Sequence, residues 1–287
     1  MTASMPEVVV LADPGAVAVA AADRIATALG QAVDARGRAD WATTGGSMAP
    51  SIYRGLAGTP LRDRIPWAAV HVWWGDDRFV PRDHPLSNVK PFDDIVLAIG
   101  YTEEGTVGIG TTGENRPVPL PLDHLHPFRT GEAIGAGRDA ASCAAELAEE
   151  LRTAGLEHDG NWPVFDLIVV GVGADGHLLS VFPGSAAFDA EALAVAVPAP
   201  THIEPHVGRV TLNPGVLAAA RQVMVVAAGV EKAAIIRAAL MDETDPRRLP
   251  VQLARSVNAV WILDATAAGE LVDVEALTRP PSLLAPG

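Results

Sequence analysis

The sequence predicts an α/β fold of three layers, in which a mostly parallel, twisted sheet carries helices on both faces. Short apolar runs rich in valine, isoleucine and alanine alternate along the chain with longer stretches of helical spacing, as in parallel sheets covered by helices. Polar and glycine-rich clusters follow several of these runs, and parallel sheets bind ligands beyond the carboxyl ends of their strands. The chemistry of the protein is therefore expected at one edge of the sheet.

Each element is predicted from the spacing of its apolar residues and from the turn residues that bound it. The first unit is a β-branched run that ends at an Asp-Pro-Gly turn, followed by an alanine-rich helix that ends before Gly37. The second unit repeats this order, with a Gly-Gly-Ser turn between its strand and its helix. The predicted strands are 7–12, 39–44, 68–74, 165–172, 207–212, 222–228 and 258–263, and the predicted helices are 16–36, 48–57, 138–154 and 230–241.

A single domain is predicted for residues 1–287, because no linker and no internal repeat interrupts the alternation. The least regular segment is predicted at about residues 100–137, where Gly, Pro and Thr are frequent and no period persists. A structureless stretch of this length is unusual in a compact domain. It is expected to be an ordered lid, an oligomer contact or an insertion, and the sequence does not choose among these or give the oligomeric state.

The composition excludes several classes of partner. Lysine and arginine total 21 against 35 acidic residues, so the formal net charge of −14 disfavours nucleic acid and acidic membranes. Cys143 is the one cysteine, which excludes an internal disulfide and a multi-cysteine metal site. No basic segment followed by an apolar one begins the sequence, and no apolar run is expected to reach a membrane span of about 18 residues. A cytoplasmic protein without a membrane partner is predicted.

Gly45, Gly46 and Ser47 form the first candidate site. They follow a strand and open a helix, so backbone N–H groups and the helix dipole point at any anion that approaches. Phosphate binding is one interpretation. The other is a tight turn in which Ser47 caps the helix, and the triplet alone favours neither.

Two acids and an arginine, Asp76, Asp77 and Arg78, come directly after the third predicted strand, and Asn88 follows shortly. Strand ends of this kind commonly carry binding sites. The two aspartates are candidates for acid/base groups or for partners that orient Arg78. The alternative is a surface turn whose charges are solvated.

The segment 171–177 contains three glycines, Gly171, Gly173 and Gly176, after a strongly apolar strand. Their spacing fits a dinucleotide-binding turn, but no acidic residue ends a following strand at the expected distance. Histidine is the side-chain type whose charge commonly changes near neutral pH, and Asp175 is placed beside His177 to hold its ring. This arrangement suits a general base, although a lone histidine is more often structural.

Arg209 and Lys232 add two cations near strand ends, where both are candidates for binding a phosphate. Each alone is more often an ordinary surface charge.

Taken in chain order, these segments resemble the 6-phosphogluconolactonase family, which is related to the glucosamine-6-phosphate deaminases. The resemblance covers nearly the whole chain. Arg78 and residues 180–185 resemble the lactonase branch more than the deaminases. Asp77 stands where the family usually has glutamate, and Met48 and Leu178 stand where threonines are expected. The segments that carry the resemblance are 45–47 with Tyr53, 74–81 with 87–88, 171–185, 209–212 and 229–232.

The resemblance implies a Rossmann-like sheet and hydrolysis of 6-phospho-D-glucono-1,5-lactone to 6-phospho-D-gluconate, without metal or organic cofactor. Its partner is then a small phosphorylated sugar lactone. The implied catalytic residues are His177, Asp175 and Arg78, with His177 taking a proton from the attacking water. The implied substrate-binding residues are Gly45, Gly46, Ser47, Asp76, Asp77, Asn88, Gly173, Gly176, Arg209 and Lys232.

Two other functions stay open at this point. One is an aminosugar-phosphate deaminase or isomerase that uses Asp76 for proton transfer at C2 and His177 in ring opening. The other is a non-catalytic sugar-phosphate sensor, because a fold alone does not fix a function.

Overall fold

The computed structural model describes residues 6–101, 107–109, 117–256 and 258–272. The strands in these ranges are β1 (Glu7–Leu11), β2 (Ala39–Thr43), β3 (Val70–Trp74), β4 (Asp76–Arg78), β5 (Ile99–Tyr101), β6 (Val107–Ile109), β7 (Leu125–His126), β8 (His158–Asp159), β9 (Trp162–Pro163), β10 (Leu167–Val170), β11 (Ala194–Val197), β12 (Arg209–Leu212), β13 (Val223–Ala227) and β14 (Ala259–Asp264). The α-helices are α1 (Pro14–Arg36), α2 (Ala49–Ala57), α3 (Leu61–Arg64), α4 (Lys90–Ile95), α5 (Thr130–Gly135), α6 (Ala140–Thr153), α7 (Val216–Ala219) and α8 (Ala233–Met241). Short 3-10 helices span Trp67–Ala69, Leu122–His124, Ala186–Asp189, Val230–Lys232 and Pro250–Ala254.

A seven-stranded sheet forms the centre, in the order β1-β14-β13-β10-β2-β3-β7. Every neighbouring pair in it is parallel. Helices pack around it, and the predicted α/β class is confirmed. Since β10, β2 and β3 are neighbours, the polar segments that follow these three strands meet at one edge of the sheet.

A second, three-stranded sheet lies outside the central one, in the order β11-β12-β4. Its strands are antiparallel, with Arg209 of β12 paired with Arg78 of β4. The strand predicted at 207–212 therefore exists in shorter form, but it does not belong to the parallel sheet. No strand was predicted over 76–78 or 194–197, because the first is fully polar and the second is short.

Helix α1 is the longest helix in the described ranges. The side chain of Asp13 caps its first turn by accepting the Ala16 N–H at 2.9 Å, and Gly37 ends it in the left-handed conformation at φ 74°. It meets a length-and-composition test for a membrane span, so the expectation that no apolar stretch reaches that length is wrong for this helix. Its buried face, from Val17 to Leu29, packs on the central sheet.

The core is rich in tryptophan, with five indoles almost wholly buried: Trp41, Trp67, Trp73, Trp74 and Trp261. Cys143 is buried on α6, as expected of an apolar filler. Trp74, at the end of β3, also bonds outward, since its indole N–H donates to the carbonyl of Asn88 at 3.2 Å. The core thus fixes one polar segment at the edge of the sheet.

The segment predicted to be irregular, at about 100–137, contains regular structure. Leu125–His126 is the edge strand β7 of the central sheet, paired with β3, and Thr130–Gly135 is helix α5. The end of this segment is therefore part of the main fold, where a two-residue strand is too short to leave a periodic pattern. Residues 102–106 and 110–116 lie outside the described ranges.

Candidate active site

A cleft of about 140 Å³ opens at the carboxyl edge of the central sheet, above β10, β2 and β3. It is the place where the predicted polar segments meet. It contains eight of the thirteen predicted site residues, together with six further residues. The lining residues are Thr44, Gly45, Gly46, Asp76, Arg78, Asn88, Gly171, Val172, Gly173, His177, Leu179, Ser180, Glu204 and Arg209.

Asp76 is held rigidly at the floor of this cleft. Its carboxylate accepts a hydrogen bond from the Ser180 hydroxyl at 2.6 Å and another from the Asn88 side-chain amide at 3.2 Å. Asp76 is only 6% exposed. The alternative of a solvated surface turn is therefore wrong, because a turn of that kind leaves its carboxylates in water.

Asp77 points away from the cleft into the protein. Its carboxylate accepts the backbone N–H groups of Arg78 at 2.8 Å and Asn88 at 2.7 Å, and the Ser87 hydroxyl at 3.1 Å. Burial raises the pKa of Asp77 to about 7, against the opposing effect of these hydrogen bonds. Asp77 is fully buried and does not line the cleft where a substrate contact was expected of it. Asp77 instead fixes the backbone on either side of the loop that presents Arg78 and Asn88.

Arg78 and Arg209 face each other across the second sheet as a cross-strand pair of like charges. Within the described ranges, neither guanidinium has a carboxylate within the 4.0 Å of an ion pair, and both Nε atoms are buried without a hydrogen-bond partner. Each makes one backbone bond, Arg78 to the Leu86 carbonyl at 2.7 Å and Arg209 to that of Pro205 at 3.0 Å. Burial, followed by the charge of Arg78, lowers the pKa of Arg209. Two guanidiniums without carboxylate partners in the described ranges, that of Arg209 buried and that of Arg78 partly buried, line one cleft and form a site for an anion.

Gly45 and Gly46 also line the cleft. A Cβ atom at Gly45 would lie 1.8 Å from the Asn88 side-chain oxygen, so only glycine permits this approach, and Gly46 adopts φ 85°. Ser47 is exposed and does not line the cleft. The alternative in which Ser47 caps the helix is wrong, because α2 begins at Ala49 with Met48 at the cap position and no side-chain capping bond.

The histidine of the glycine-rich segment lies in the cleft and is bonded to its predicted partner. His177 Nδ1 lies 2.5 Å from Asp175 Oδ1, which also accepts the His177 backbone N–H at 3.1 Å. Gly173 permits this geometry, because a Cβ there would lie 2.0 Å from His177 Nδ1. The bond to Asp175 leaves His177 Nε2 as the ring nitrogen that can accept a proton.

Asp175 stands between two histidines, since its second oxygen, Oδ2, lies 2.7 Å from Nε2 of His202. Partial burial acts to raise the pKa of Asp175, but the hydrogen bonds and charge of His177 and the hydrogen bond of His202 hold it well below its usual range. Asp175 is therefore a carboxylate near neutral pH. It can stabilise positive charge that develops on His177.

Gly176 and Lys232 are not brought into the cleft. Gly176 adopts φ 81°, and a Cβ there would lie 2.1 Å from a methyl group of Leu249, so its role is to shape the turn. Lys232 is half-buried at the end of the 3-10 helix that follows β13. Its predicted phosphate contact stays a prediction.

Several residues of the site were missed from the sequence. Ser180 was named only within residues 180–185 of the family resemblance, although its hydroxyl fixes Asp76. Leu179 is in the left-handed region at φ 53°, and its side chain fills the space that a Cβ at Gly75 would need. His202 and Glu204 lie in the loop between β11 and β12, which carries no motif. The one sequence signal in that loop is that both residues lie between two prolines, Pro200 and Pro205.

Among the residues that the structure describes, no group of three or more His, Cys, Asp or Glu side chains is arranged to hold a metal ion.

The comparisons with known proteins identify the family. A family model described as glucosamine-6-phosphate isomerases/6-phosphogluconolactonase matches residues 12–262. The chain belongs to this family. It is 31% identical to a 6-phosphogluconolactonase of Streptomyces coelicolor over 93% of this chain and 95% of that protein, and 30% identical to one of Mycobacterium tuberculosis over 90% and 96%. A solved 6-phosphogluconolactonase of Trypanosoma brucei superposes with a TM-score of 0.75 at 25% identity, covering 94% of this chain and all of that one.

Proposed function

We propose that this member of the family hydrolyses 6-phospho-D-glucono-1,5-lactone to 6-phospho-D-gluconate, in the oxidative branch of the pentose phosphate pathway. The lactonase names of its relatives support the reaction class. The observation that carries the proposal is one cleft holding both a carboxylate-bonded histidine and two guanidiniums without carboxylate partners in the described ranges. A phosphorylated ester substrate needs both features.

The phosphate binds at the end of the cleft that Arg78 and Arg209 form. A phosphate dianion offers acceptors to both guanidiniums and offsets the repulsion between them. The turn at Gly45 and Gly46 brings backbone close to the same cleft, and its glycines leave no Cβ in the way of the ligand. This local positive charge works against the overall charge of −14.

His177 acts as general base at the lactone. Its Nε2 takes a proton from water as the water oxygen adds to C1, and Asp175 stabilises the imidazolium that forms. When the C1–O5 bond of the tetrahedral intermediate breaks, the same proton passes to O5, which becomes the free hydroxyl of the product. The new carboxylic acid then loses its proton to water. Every atom is supplied by the lactone and one water molecule.

The deaminase alternative assigns proton transfer at C2 to Asp76. Both carboxylate oxygens of Asp76 are occupied by Ser180 and Asn88, which suits a fixed substrate contact better than a group that exchanges protons. The sensor alternative assigns no role to the Asp175–His177 pair. These observations favour the lactonase. We also propose a cytoplasmic location, because disulfides are rare in the cytoplasm and a chain with one cysteine forms no internal disulfide.

The deciding experiment measures release of acid from 6-phosphoglucono-1,5-lactone by the purified protein against the spontaneous rate. We expect saturable hydrolysis well above background, with no ammonia released from glucosamine 6-phosphate. Ammonia release would support the deaminase. Tight binding of the lactone without turnover would support the sensor, and either result would overturn the proposal.

A further inference from the structure

We infer that His202 is a positioning residue for this reaction, which fixes the Asp175 carboxylate from the side opposite His177. The inference rests on the proposed function, because it assigns His202 a role in the step that His177 carries out. The motif that contains Asp175 and His177 does not include His202. The chain supplies this residue from the loop between β11 and β12, 27 positions along the sequence from Asp175.

The two oxygens of Asp175 have separate partners. Oδ1 accepts from the backbone N–H of His177 and bonds its ring Nδ1, while Oδ2 lies 2.7 Å from Nε2 of His202. The Oδ1 contacts alone would leave the second carboxylate oxygen without a protein partner among those that the structure records for Asp175. The contact with His202 fixes its plane, and therefore fixes the direction in which His177 presents Nε2.

The three side chains share an apolar support. The ring of Phe182 packs against His177 at 4.7 Å between centroids and against His202 edge-on at 5.8 Å. Phe182 is itself 6% exposed, so it supports both rings from beneath. The His202 side chain is half exposed, whereas Asp175 is 17% exposed. His202 thus covers the solvent side of Asp175. It occupies the position from which a water molecule would otherwise bond Asp175 Oδ2.

The contact also specifies tautomers. A carboxylate only accepts hydrogen bonds, so the nitrogen of each imidazole that faces Asp175 must carry a hydrogen. For His177 this is Nδ1, which leaves the lone pair on Nε2 for the proton of the attacking water. For His202 it is Nε2. Loss of His202 therefore weakens the constraint that keeps His177 in its reactive tautomer.

The first test substitutes His202 and separates kcat from KM. We expect His202→Ala to lower kcat about tenfold, the lower end of the effect of second partners around functional histidines. KM should stay within about twofold, because His202 contacts no phosphate group in this arrangement. His202→Gln should recover most of kcat, since its side-chain amide places an N–H donor near the position of Nε2. His158→Ala is the control, because the ring of this exposed histidine bonds the Leu156 carbonyl and lies outside the cleft, so both constants should stay unchanged.

A double-mutant cycle tests whether the effect passes through Asp175. In an Asp175→Asn background, His202→Ala should lower kcat no further, because the carboxylate that it positions is gone. A full tenfold loss in that background would overturn the inference. So would an unchanged kcat in His202→Ala, failure of His202→Gln to recover activity, or an effect confined to KM.

A measurement without turnover keeps the two proposals distinguishable. The ¹⁵N chemical shifts of the His177 ring report which nitrogen carries hydrogen in the absence of substrate. We expect one dominant Nδ1–H tautomer in the native protein and a mixture in His202→Ala. An unchanged tautomer would overturn the role of His202, whereas absence of lactone hydrolysis by the native protein would overturn the proposed function alone.

Discussion

The two edges of the central sheet both carry arginines, but only one edge supplies them with carboxylates. At the amino edge, Arg36 and Arg221 both bond Asp166, at 2.5 and 3.2 Å. At the carboxyl edge, Arg78 and Arg209 are paired with each other and, in the described ranges, with no acid. Arginine side chains therefore form ion pairs within the protein at the amino edge, whereas at the carboxyl edge they are available to bind an anionic ligand.

At the amino edge, the arginine side chains of Arg38 and Arg221 have further bonds to carboxylates. Arg38 makes two bonds of 2.7 Å to Asp40, and Asp40 in turn accepts the indole N–H of Trp73 at 3.0 Å. Arg221 has a second acid in Glu157 at 2.6 Å. A buried guanidinium without such a partner is unfavourable, and the fold tolerates it where an anion is to be bound.

The largest effect is expected from removing the proposed general base at the carboxyl edge. Replacing His177 with alanine should lower kcat about 10²–10⁴-fold, the usual contribution of a general base. Thermal unfolding should change little, because the ring is partly exposed and, within the described ranges, its side-chain hydrogen bond is the one to Asp175. Steady-state kinetics on the lactone, corrected for the spontaneous rate, measures the effect. A kcat within threefold or so of the native value would remove His177 from the mechanism.

The next effect tests the unpaired arginines directly. Hydrogen bonds to charged groups contribute about 1.5–3 kcal/mol, so Arg209→Met should raise KM about 10–100-fold. The value of kcat should hold, because phosphate contacts act alike in the ground and transition states. The free energy of unfolding should be unchanged or higher, since the substitution removes a buried charge beside Arg78.

Arg221→Met at the amino edge is the matched control for Arg209→Met. It removes the same guanidinium from a site that supplies two carboxylates, Glu157 and Asp166. We expect lower stability with KM unchanged. If the two variants behaved alike in urea unfolding and in KM, the contrast between the edges would be wrong.

A smaller effect is expected from replacing Asp166, the acid at the amino edge that Arg36 and Arg221 both bond. The Asp166 carboxylate accepts from Arg36, Arg221 and the backbone N–H of Asp40, the last at 2.8 Å. Asp166→Ala should lower the free energy of unfolding by about 1–2 kcal/mol, because it leaves a backbone donor unpaired while the two partly exposed arginines turn to water. Chemical denaturation measures this loss. A parallel fall in kcat/KM would show that the two edges are coupled.

The sequence predicted the polar segments of the carboxyl edge but not the pairing of its two arginines. The glycine-rich turn with His177 and the acidic turn with Arg78 were found because each follows an apolar strand, and parallel strands bring their carboxyl ends together. The pairing of Arg78 with Arg209 was not found, because it depends on an antiparallel contact between β4 and β12, which lie far apart in sequence. No local pattern specifies such a partner.

The same limit explains the individual corrections. Asp77 was expected to touch substrate, since the sequence shows that it follows a strand but not which way its side chain points. His202 was missed because its only signal is position in an irregular loop, and its partner Asp175 lies in a different segment. Residues 125–126 were assigned to an irregular segment because two residues cannot show the alternation that identifies a strand.

The last effect concerns Asp77, a carboxylate at the carboxyl edge that is held by N–H and O–H donors, as the described contacts show. Burial raises the pKa of Asp77 from 3.8 to about 7, so the folded protein binds this proton more tightly than the unfolded chain does. Its contribution to stability is therefore complete below about pH 4 and is lost as the pH rises through 7.

Asp77→Asn carries no such proton and keeps an oxygen to accept the N–H groups of Arg78 and Asn88. The native protein should lose stability relative to this variant between about pH 4 and 7, by more than about 1 kcal/mol in total, and the difference should be constant above about pH 8. Urea unfolding of both proteins across this range isolates Asp77, because every other titrating group is shared. A difference that does not change with pH would mean that the donors around Asp77 outweigh its burial, and that the carboxyl edge holds this acid as a carboxylate throughout.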